Sequence, residues 1–159
     1  MPTPTYFPLA NITLGSSASS VTFSSIPATY RDLVLVVEGP ANSGDFHLAR
    51  FNGDSSSNYP AVIGQGTGSV ATSVAGTNTG AYLGDTSGSS RFFSYTSIMD
   101  YSATDKHKTV LNRTHYSAVV TMTAARWANT AAITSVALVL NNGASFSSAT
   151  NFALYGISA

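Results

Sequence analysis

The chain has 159 residues, enough for one domain with a substantial core and too few for two comfortable ones. Charged residues make up 9% of the sequence, and seven basic residues balance seven acidic ones. A neutral surface so poor in charge cannot neutralise a series of phosphates, which argues against nucleic acid and anionic membranes as partners. The chain has no cysteine, so it forms neither disulfides nor thiolate metal sites.

The first ten residues, MPTPTYFPLA, have neither a basic head nor a long apolar run, so we do not expect a secretory signal here. Their three prolines remove backbone donors and favour extended backbone, which predicts a Pro-rich arm over residues 1–10. Tyr6 and Phe7 lie within this arm and should pack against an apolar surface. That surface belongs either to their own domain or to a neighbouring subunit.

Strand signals follow one another after the arm. Short runs of alternating or β-branched residues predict strands at residues 11–15, 20–25, 32–39 and 45–51. The run DLVLVVEG, at residues 32–39, has apolar residues at both odd and even positions. This pattern indicates a strand that is buried on both faces.

Residues 91–101 alternate between two aromatic-rich faces. One face holds Phe92, Ser94, Thr96 and Ile98, and the other holds Phe93, Tyr95, Ser97 and Met99. Further strands are predicted at residues 107–112, 116–124, 133–143 and 151–157, and the third of these is closed by the turn dipeptide Asn142-Gly143. Residues 123–133 are the best helical candidate, but β-branched ends and an interrupting Asn make them weakly helical at most.

About eight or nine short strands separated by Gly, Pro and Ser predict an all-β sandwich or barrel. We expect residues 11–159 to form this single domain. Residues 64–90 are rich in Gly, Ser and Thr and predict a long excursion that contains one weak hairpin.

The residues that could carry chemistry do not form a recognisable catalytic or metal-binding motif. The nucleophile elbow G-x-S-x-G is missing, and the three histidines, His47, His107 and His115, are not spaced like metal ligands. Glu38 is the single glutamate, and the aspartates occur singly at positions typical of turns. We therefore expect no enzymatic activity, no metal and no cofactor.

The stretch RFNGDSSSNY, at residues 50–59, combines an Asn, a Gly and an Asp with a run of serines, so it could hold an ion or form a corner. A calcium loop needs acids at alternate positions, whereas Asp54 is followed by three serines. Asn52 and Gly53 tolerate positive φ, and the Asp54 side chain can bond the backbone beyond it. The stretch is thus predicted to be a structural turn.

Four blocks occur in a familiar order along the chain: residues 14–37 (LGSSASSVTFSSIPATYRDLVLVV), 50–59, 127–140 (WANTAAITSVALVL) and 152–157 (FALYGI). Together they resemble small virion structural proteins of tailed bacteriophages, including cyanophages. The resemblance implies an antiparallel β-sandwich of jelly-roll type, used as a capsid decoration (cement) protein or in a fibre or tail. It supplies no catalytic residues.

The first hypothesis is a decoration protein on the capsid exterior of a virion that is assembled in the host cytoplasm. Its partners would be the major capsid protein and further copies of itself, with a homotrimer expected because it matches the local threefold axes of a shell. Pro4, Tyr6, Phe7 and Pro8 of the arm would contact neighbouring capsid subunits. Removing residues 1–10 should then leave a folded domain that no longer stabilises particles.

The alternative hypothesis is a fibre or tail protein that binds a receptor, namely a glycan on the host surface. Its contact surface would be the excursion at residues 64–90, with Tyr82 and Asp85 as the sugar-binding side chains. A hydrolase that acts on the host envelope is a third hypothesis, and it lacks the paired acids that glycoside cleavage requires.

Overall fold

The computed structural model describes residues 4–88 and 90–158, which form twelve β-strands and a short 3-10 turn at Asn141–Gly143. The strands are β1 (Tyr6–Thr13), β2 (Ser20–Phe23), β3 (Asp32–Gly39), β4 (Phe46–Phe51), β5 (Tyr59–Gly66), β6 (Ala71–Asn78), β7 (Ala81–Asp85), β8 (Phe92–Met99), β9 (Lys108–Tyr116), β10 (Val119–Trp127), β11 (Val136–Leu140) and β12 (Asn151–Ile157). Within these residues, no helix is long and apolar enough to cross a membrane.

The strands form two antiparallel sheets. The larger sheet has eight strands in the order β1-β12-β3-β8-β9-β10-β5-β6, and the smaller sheet has four in the order β2-β11-β4-β7. Hairpin connections keep β5 with β6 and join β8, β9 and β10, whereas the other connections pass from one sheet to the other. The predicted all-β antiparallel sandwich is confirmed.

The core lies between the sheets, because successive side chains of a strand point to opposite faces. Strand β8 buries Phe92, Ser94, Thr96 and Ile98 and leaves the alternate residues partly exposed, as its sequence predicts. Strand β3 buries its inner residues and also Val34 on the opposite face. The predicted burial on both faces therefore holds fully only at Val34, since Asp32 and Val36 on the same face are partly buried and Glu38 is exposed.

An aromatic cluster fills one end of the core. Phe51, Tyr59 and Trp127 are almost fully buried, and the Phe51 ring lies 5.9 Å from the Tyr59 ring and 5.5 Å from the Trp127 ring. The Tyr59 hydroxyl accepts a hydrogen bond of 3.1 Å from the Phe51 amide. These residues join β4, β5 and β10, and so tie the smaller sheet to the larger one.

Several predicted boundaries are confirmed and others are not. The bounds of β3 and β12 agree with the predicted strands at residues 32–39 and 151–157. Strand β9 continues to Tyr116, so the break predicted between the strands at residues 107–112 and 116–124 is wrong. Residues 123–133 contain no helix, because β10 runs on to Trp127 and alternate side chains point into the core.

The predicted excursion at residues 64–90 is mostly regular structure in the described residues. It contains the end of β5 and all of β6, which form the expected hairpin, and then β7 of the smaller sheet. Strand β7 was not predicted, because its sequence, AYLGD, does not alternate between apolar and polar residues. The observed strands number twelve against the predicted eight or nine because β5, β6 and β7 were not counted among the predicted strands.

The N-terminal segment belongs to the sandwich where the structure describes it. Strand β1 begins at Tyr6 and pairs with β12 at the edge of the larger sheet, so the predicted arm–domain boundary at residues 10 and 11 falls inside a strand. The extended backbone expected from the prolines is present. It is used for strand pairing within the same chain, and residues 1–3 lie outside the described residues.

Candidate functional site

The histidines do not form a reactive group. His47 lies in β4 and is fully buried, its ring is 5.1 Å from that of Phe92, and neither of its ring nitrogens makes a hydrogen bond. Burial lowers the pKa of His47 to about 4, and the backbone of Gly84 acts weakly in the opposite direction. His107 and His115 are exposed on separate parts of the molecule.

The acids and the buried lysine also have local roles. No three His, Asp or Glu side chains come together as a metal site within residues 4–88 and 90–158. Lys108 is buried, and its ammonium donates hydrogen bonds of 2.9 and 3.1 Å to the carbonyls of Lys106 and Thr130. Burial lowers the pKa of Lys108, and Asp105 and Asp100 act against this shift. The lysine holds a loop in place.

The Asn52–Gly53 turn fastens a long connection to the rest of the domain. Asn52 and Gly53 have φ values of 53° and 73°. The Asn52 side chain accepts hydrogen bonds from the amides of Thr134 and Ser135 at 2.8 and 3.1 Å, and donates one to the Ala132 carbonyl at 2.8 Å. One side chain thereby orders the segment between β10 and β11.

Asp54 completes this corner. Its carboxylate accepts hydrogen bonds from the Trp127 indole at 2.8 Å, the Asn58 amide at 3.1 Å and the Ser56 backbone amide at 2.9 Å. The indole and the Asn58 amide together lower the pKa of Asp54 to about 2. The stretch that resembled an ion loop therefore uses its carboxylate to hold the aromatic core.

Tyr82 and Asp85 were expected on an exposed loop, and the structure places both in strand β7. Tyr82 is only 8% exposed, and its hydroxyl donates to Asp85 Oδ1, while Gln65 donates to Asp85 Oδ2. Burial and the hydrogen bond to Asp85 raise the pKa of Tyr82. Tyr82 is thus buried and Asp85 partly buried, and their polar groups bond to each other and to Gln65.

The N-terminal aromatic residues contact their own domain. The Phe7 ring lies 5.5 Å from Tyr30, and the Tyr6 ring lies 6.4 Å from Tyr155 in an edge-on arrangement. Tyr6 remains 52% exposed, and Pro4 and Pro8 are exposed. The structure thus supplies the first of the two expected surfaces for the aromatic pair, and leaves Tyr6 accessible.

Strand β10 and part of β9 invert the usual pattern, with polar side chains inside and apolar ones outside. Asn112 is buried, and its amide donates hydrogen bonds of 2.8 Å to the hydroxyls of Ser94 and Thr96. The buried Thr114 hydroxyl lies within hydrogen-bonding distance of Asn112 Oδ1 and the Leu83 carbonyl. This network satisfies the side chains of Asn112 and Thr114 and joins β8 and β9 to β7, whereas the buried Thr123 hydroxyl of β10 has no hydrogen-bond partner among the described residues.

The inversion leaves apolar side chains in solvent. Of the large hydrophobic residues that the described part of the chain exposes, all except Tyr6 lie on β5, β6, β9, β10 or the β5–β6 turn. The residues on the outer face of β5, β9 and β10 form what we call the outer patch: Val62, Leu111, Val120, Met122 and Ala124. No other region of the described surface concentrates exposed hydrophobic side chains in this way.

The outer patch contains an open depression of about 610 Å³. Strand register brings Val62, Ala124 and Leu111 into one row across β5, β10 and β9. The small side chain of Ala124 therefore lies between two larger ones. On the rim, the Arg113 guanidinium lies 5.1 Å from the centre of the Tyr95 ring, a cation–π contact that leaves the charged group at the edge of an apolar surface.

The outer patch was not predicted from the sequence. Alternation in β10 is clear, but a strand with Val120 and Met122 on one face and threonines on the other would be assigned with its apolar face inside. Because β10 pairs with β5 and β9, Val120 and Met122 instead face solvent and the threonines face the core.

No protein-family model and no curated protein sequence matches this chain.

Proposed function

We propose that this protein is a non-enzymatic structural subunit that binds a larger protein assembly through the outer patch, and that the assembly is the capsid of a tailed bacteriophage. The observation that carries the proposal is the exposure of Val62, Leu111 and Met122, which are 58%, 42% and 59% exposed on one sheet face. Contiguous exposed apolar surface is typical of protein–protein contact sites.

The chemistry of the surface supports a protein partner. Met, Tyr and Arg are enriched at the centres of protein interfaces, and Met122, Tyr95 and Arg113 lie together here. A chain with seven basic and seven acidic residues has little net charge to repel a partner. Tyr82 is buried and Asp85 is partly buried and bonded to it, which leaves the glycan-binding alternative less exposed contact surface than a free loop would give.

The connectivity of the sandwich supports the jelly-roll topology that the resemblance implies. Strands β2 to β5 pass alternately from one sheet to the other, as do β6 to β8, and β11 lies between β2 and β4. A jelly roll winds its strands between two sheets in this alternating manner, and viral capsid domains use it often. The β9–β10 hairpin would then be an insertion in the larger sheet, and it carries most of the outer patch.

The test is binding to shells of the phage that encodes the chain. Leu111→Lys combined with Met122→Lys places two charges in the outer patch, and should reduce co-sedimentation with undecorated shells by at least tenfold. The matched control, Ser55→Lys combined with Ser57→Lys, adds the same charge at exposed turn positions and should bind like the unmodified protein.

Copy number in purified particles separates the outcomes. Hundreds of copies per particle support a decoration role, and a handful would point to a tail or fibre instead. Absence of the chain from purified particles would overturn the virion proposal, and equal binding by both lysine pairs would overturn the role of the outer patch.

A further inference from the structure

Strand β6 forms an unprotected edge of the larger sheet. All seven of its residues from Ala71 to Thr77 are exposed, and Val74 is 60% exposed. The strand contains no proline and no charged residue, and none of the residues between Asp54 and Asp85 is charged. An edge strand of eight residues without such features presents a row of free backbone groups to any extended partner.

The other three sheet edges in the described residues are blocked or short. Strand β1 carries Pro8, and its pairing with β12 shifts register between Pro8 and Ala10, as in a β-bulge. Strand β2 has four residues. Strand β7 has five residues, four of them buried. Protection is thus missing at β6 alone among these edges.

The pairing of β6 with β5 shows which backbone groups are free. Thr67 and Val70 lie opposite each other next to the first pair of the ladder, and the Thr67 amide donates to the Val70 carbonyl at 2.9 Å, so this pair is hydrogen-bonded. Along an antiparallel pair of strands, hydrogen-bonded and non-hydrogen-bonded pairs of residues alternate. The residues opposite β5 at bonded positions are therefore Thr72, Val74, Gly76 and Asn78. Pro60 lies opposite Thr77, which is a non-hydrogen-bonded position in this alternation. This agrees with the assignment, because a proline has no amide proton to donate.

The free donors and acceptors consequently belong to Ala71, Ser73, Ala75 and Thr77. Their amides and carbonyls point away from β5, toward solvent. A second antiparallel strand in register could pair with all four.

The geometry points to a second copy of this chain as the occupant, with β6 of one protomer pairing antiparallel to β6 of its partner about a twofold axis. The register that uses all four free positions pairs residue 71 with 77 and residue 73 with 75. It forms about eight backbone hydrogen bonds. The two Val74 side chains then face each other on the axis in a non-bonded pair, where side chains are closest.

Two observations favour a copy of the chain over a different extended partner. The register is self-complementary, since each free residue of one β6 meets a free residue of the other. The absence of charge between Asp54 and Asp85 also means that two copies meet without repulsion. The resulting sheet would continue through sixteen strands, twice the eight of one larger sheet, and both outer patches would lie on it.

This inference does not depend on the virion proposal. It concerns the isolated protein in solution, whereas the outer patch concerns binding to shells. It also predicts twofold association, in contrast to the homotrimer expected from the resemblance.

Two aspartate variants, each at a valine of similar exposure, distinguish the role of the β6 edge from that of the outer patch. Val74→Asp places two like charges face to face on the axis and should weaken the dimer at least a hundredfold in analytical ultracentrifugation. Val62→Asp, its matched control, adds the same charge on the neighbouring strand β5, at a residue that is 58% exposed. It should leave the dimer intact and impair binding to shells.

Amide hydrogen exchange gives a readout that does not depend on the variants. In the dimer, the amides of Ala71, Ser73, Ala75 and Thr77 should be protected, and on dilution to monomer these four should become exchangeable while those bonded to β5 stay protected. A protein that is monomeric at high micromolar concentration would overturn the inference. So would a trimer, or a dimer in which these four amides exchange freely.

Discussion

At the scale of single residues, His47 couples pH to stability. Its pKa is about 4 in the folded protein, against 6.5 for an ordinary histidine, because burial of the ring disfavours its charged form. Protonation therefore favours the unfolded chain. The stability that the neutral ring contributes is complete above pH 6.5 and is lost progressively as the pH falls toward 4.

Replacing His47 by Leu should remove this dependence. The unmodified protein should lose about 3 kcal/mol of unfolding free energy through His47 between pH 6.5 and 4, since each pKa unit corresponds to about 1.4 kcal/mol. Over the same pH range, the unfolding free energy of His47→Leu should fall by about 3 kcal/mol less than that of the unmodified protein. Urea unfolding at pH 7, 5.5 and 4 measures this difference. Parallel pH profiles for the two proteins would show that the ring is not held neutral.

At the scale of elements, the approach of β7 to β9 depends on Gly84. This residue has φ of +102°, and a Cβ atom placed on it would lie 2.6 Å from the Cβ of Thr114. Both the backbone conformation and the contact exclude a side chain. The smaller sheet can therefore reach the polar network of the larger one only with glycine at this position.

Gly84→Ala should reduce the unfolding free energy by about 3 kcal/mol, through backbone strain and overpacking against Thr114. Gly66→Ala is the matched control in β5, where φ is not positive and no atom lies within 4 Å of the added carbon. It should change stability by less than about 1 kcal/mol. Equal effects in denaturant titrations would contradict the close approach of the two strands.

At the scale of the whole molecule, the N-terminal segment closes one end of the larger sheet. Strand β1 covers the edge of β12, and Phe7 packs on Tyr30. Deleting residues 1–10 should therefore lower the unfolding free energy by about 2 kcal/mol or more, as expected for losing a packed aromatic side chain. Deleting residues 1–4 keeps β1 and should leave the melting temperature unchanged. If the longer deletion melts like the full chain, the segment acts as a detachable arm.

Particular residues show how far sequence reasoning reaches. The alternation of Phe92, Ser94, Thr96 and Ile98 predicted the buried face of β8, because a strand repeats every two residues. The residue types of the Asn52–Gly53 corner predicted a turn, because they tolerate positive φ. Both features depend only on residues that are neighbours in the chain, so they can be predicted from the sequence.

The outer patch could not be predicted from the sequence, because it depends on contacts between strands that are distant in the chain. Whether Met122 or Thr121 faces solvent depends on how β10 is placed between β5 and β9, and those partners lie far away in the chain. The inside position of Thr121 and Thr123 depends further on packing against other strands. A period of two gives the two faces of a strand, but it does not say which one is covered.

The sequence by itself determined that the chain is all-β, neutral and rich in short strands, because composition and period are properties of local stretches. Tertiary structure alone decided which edges are free and which apolar residues stay in solvent. The eight-stranded sheet extends beyond the four strands that cover its inner face, so β6 is exposed, and the outer patch is exposed because its side chains point away from the smaller sheet. Pairing and coverage are contacts between remote segments, and no local pattern encodes them.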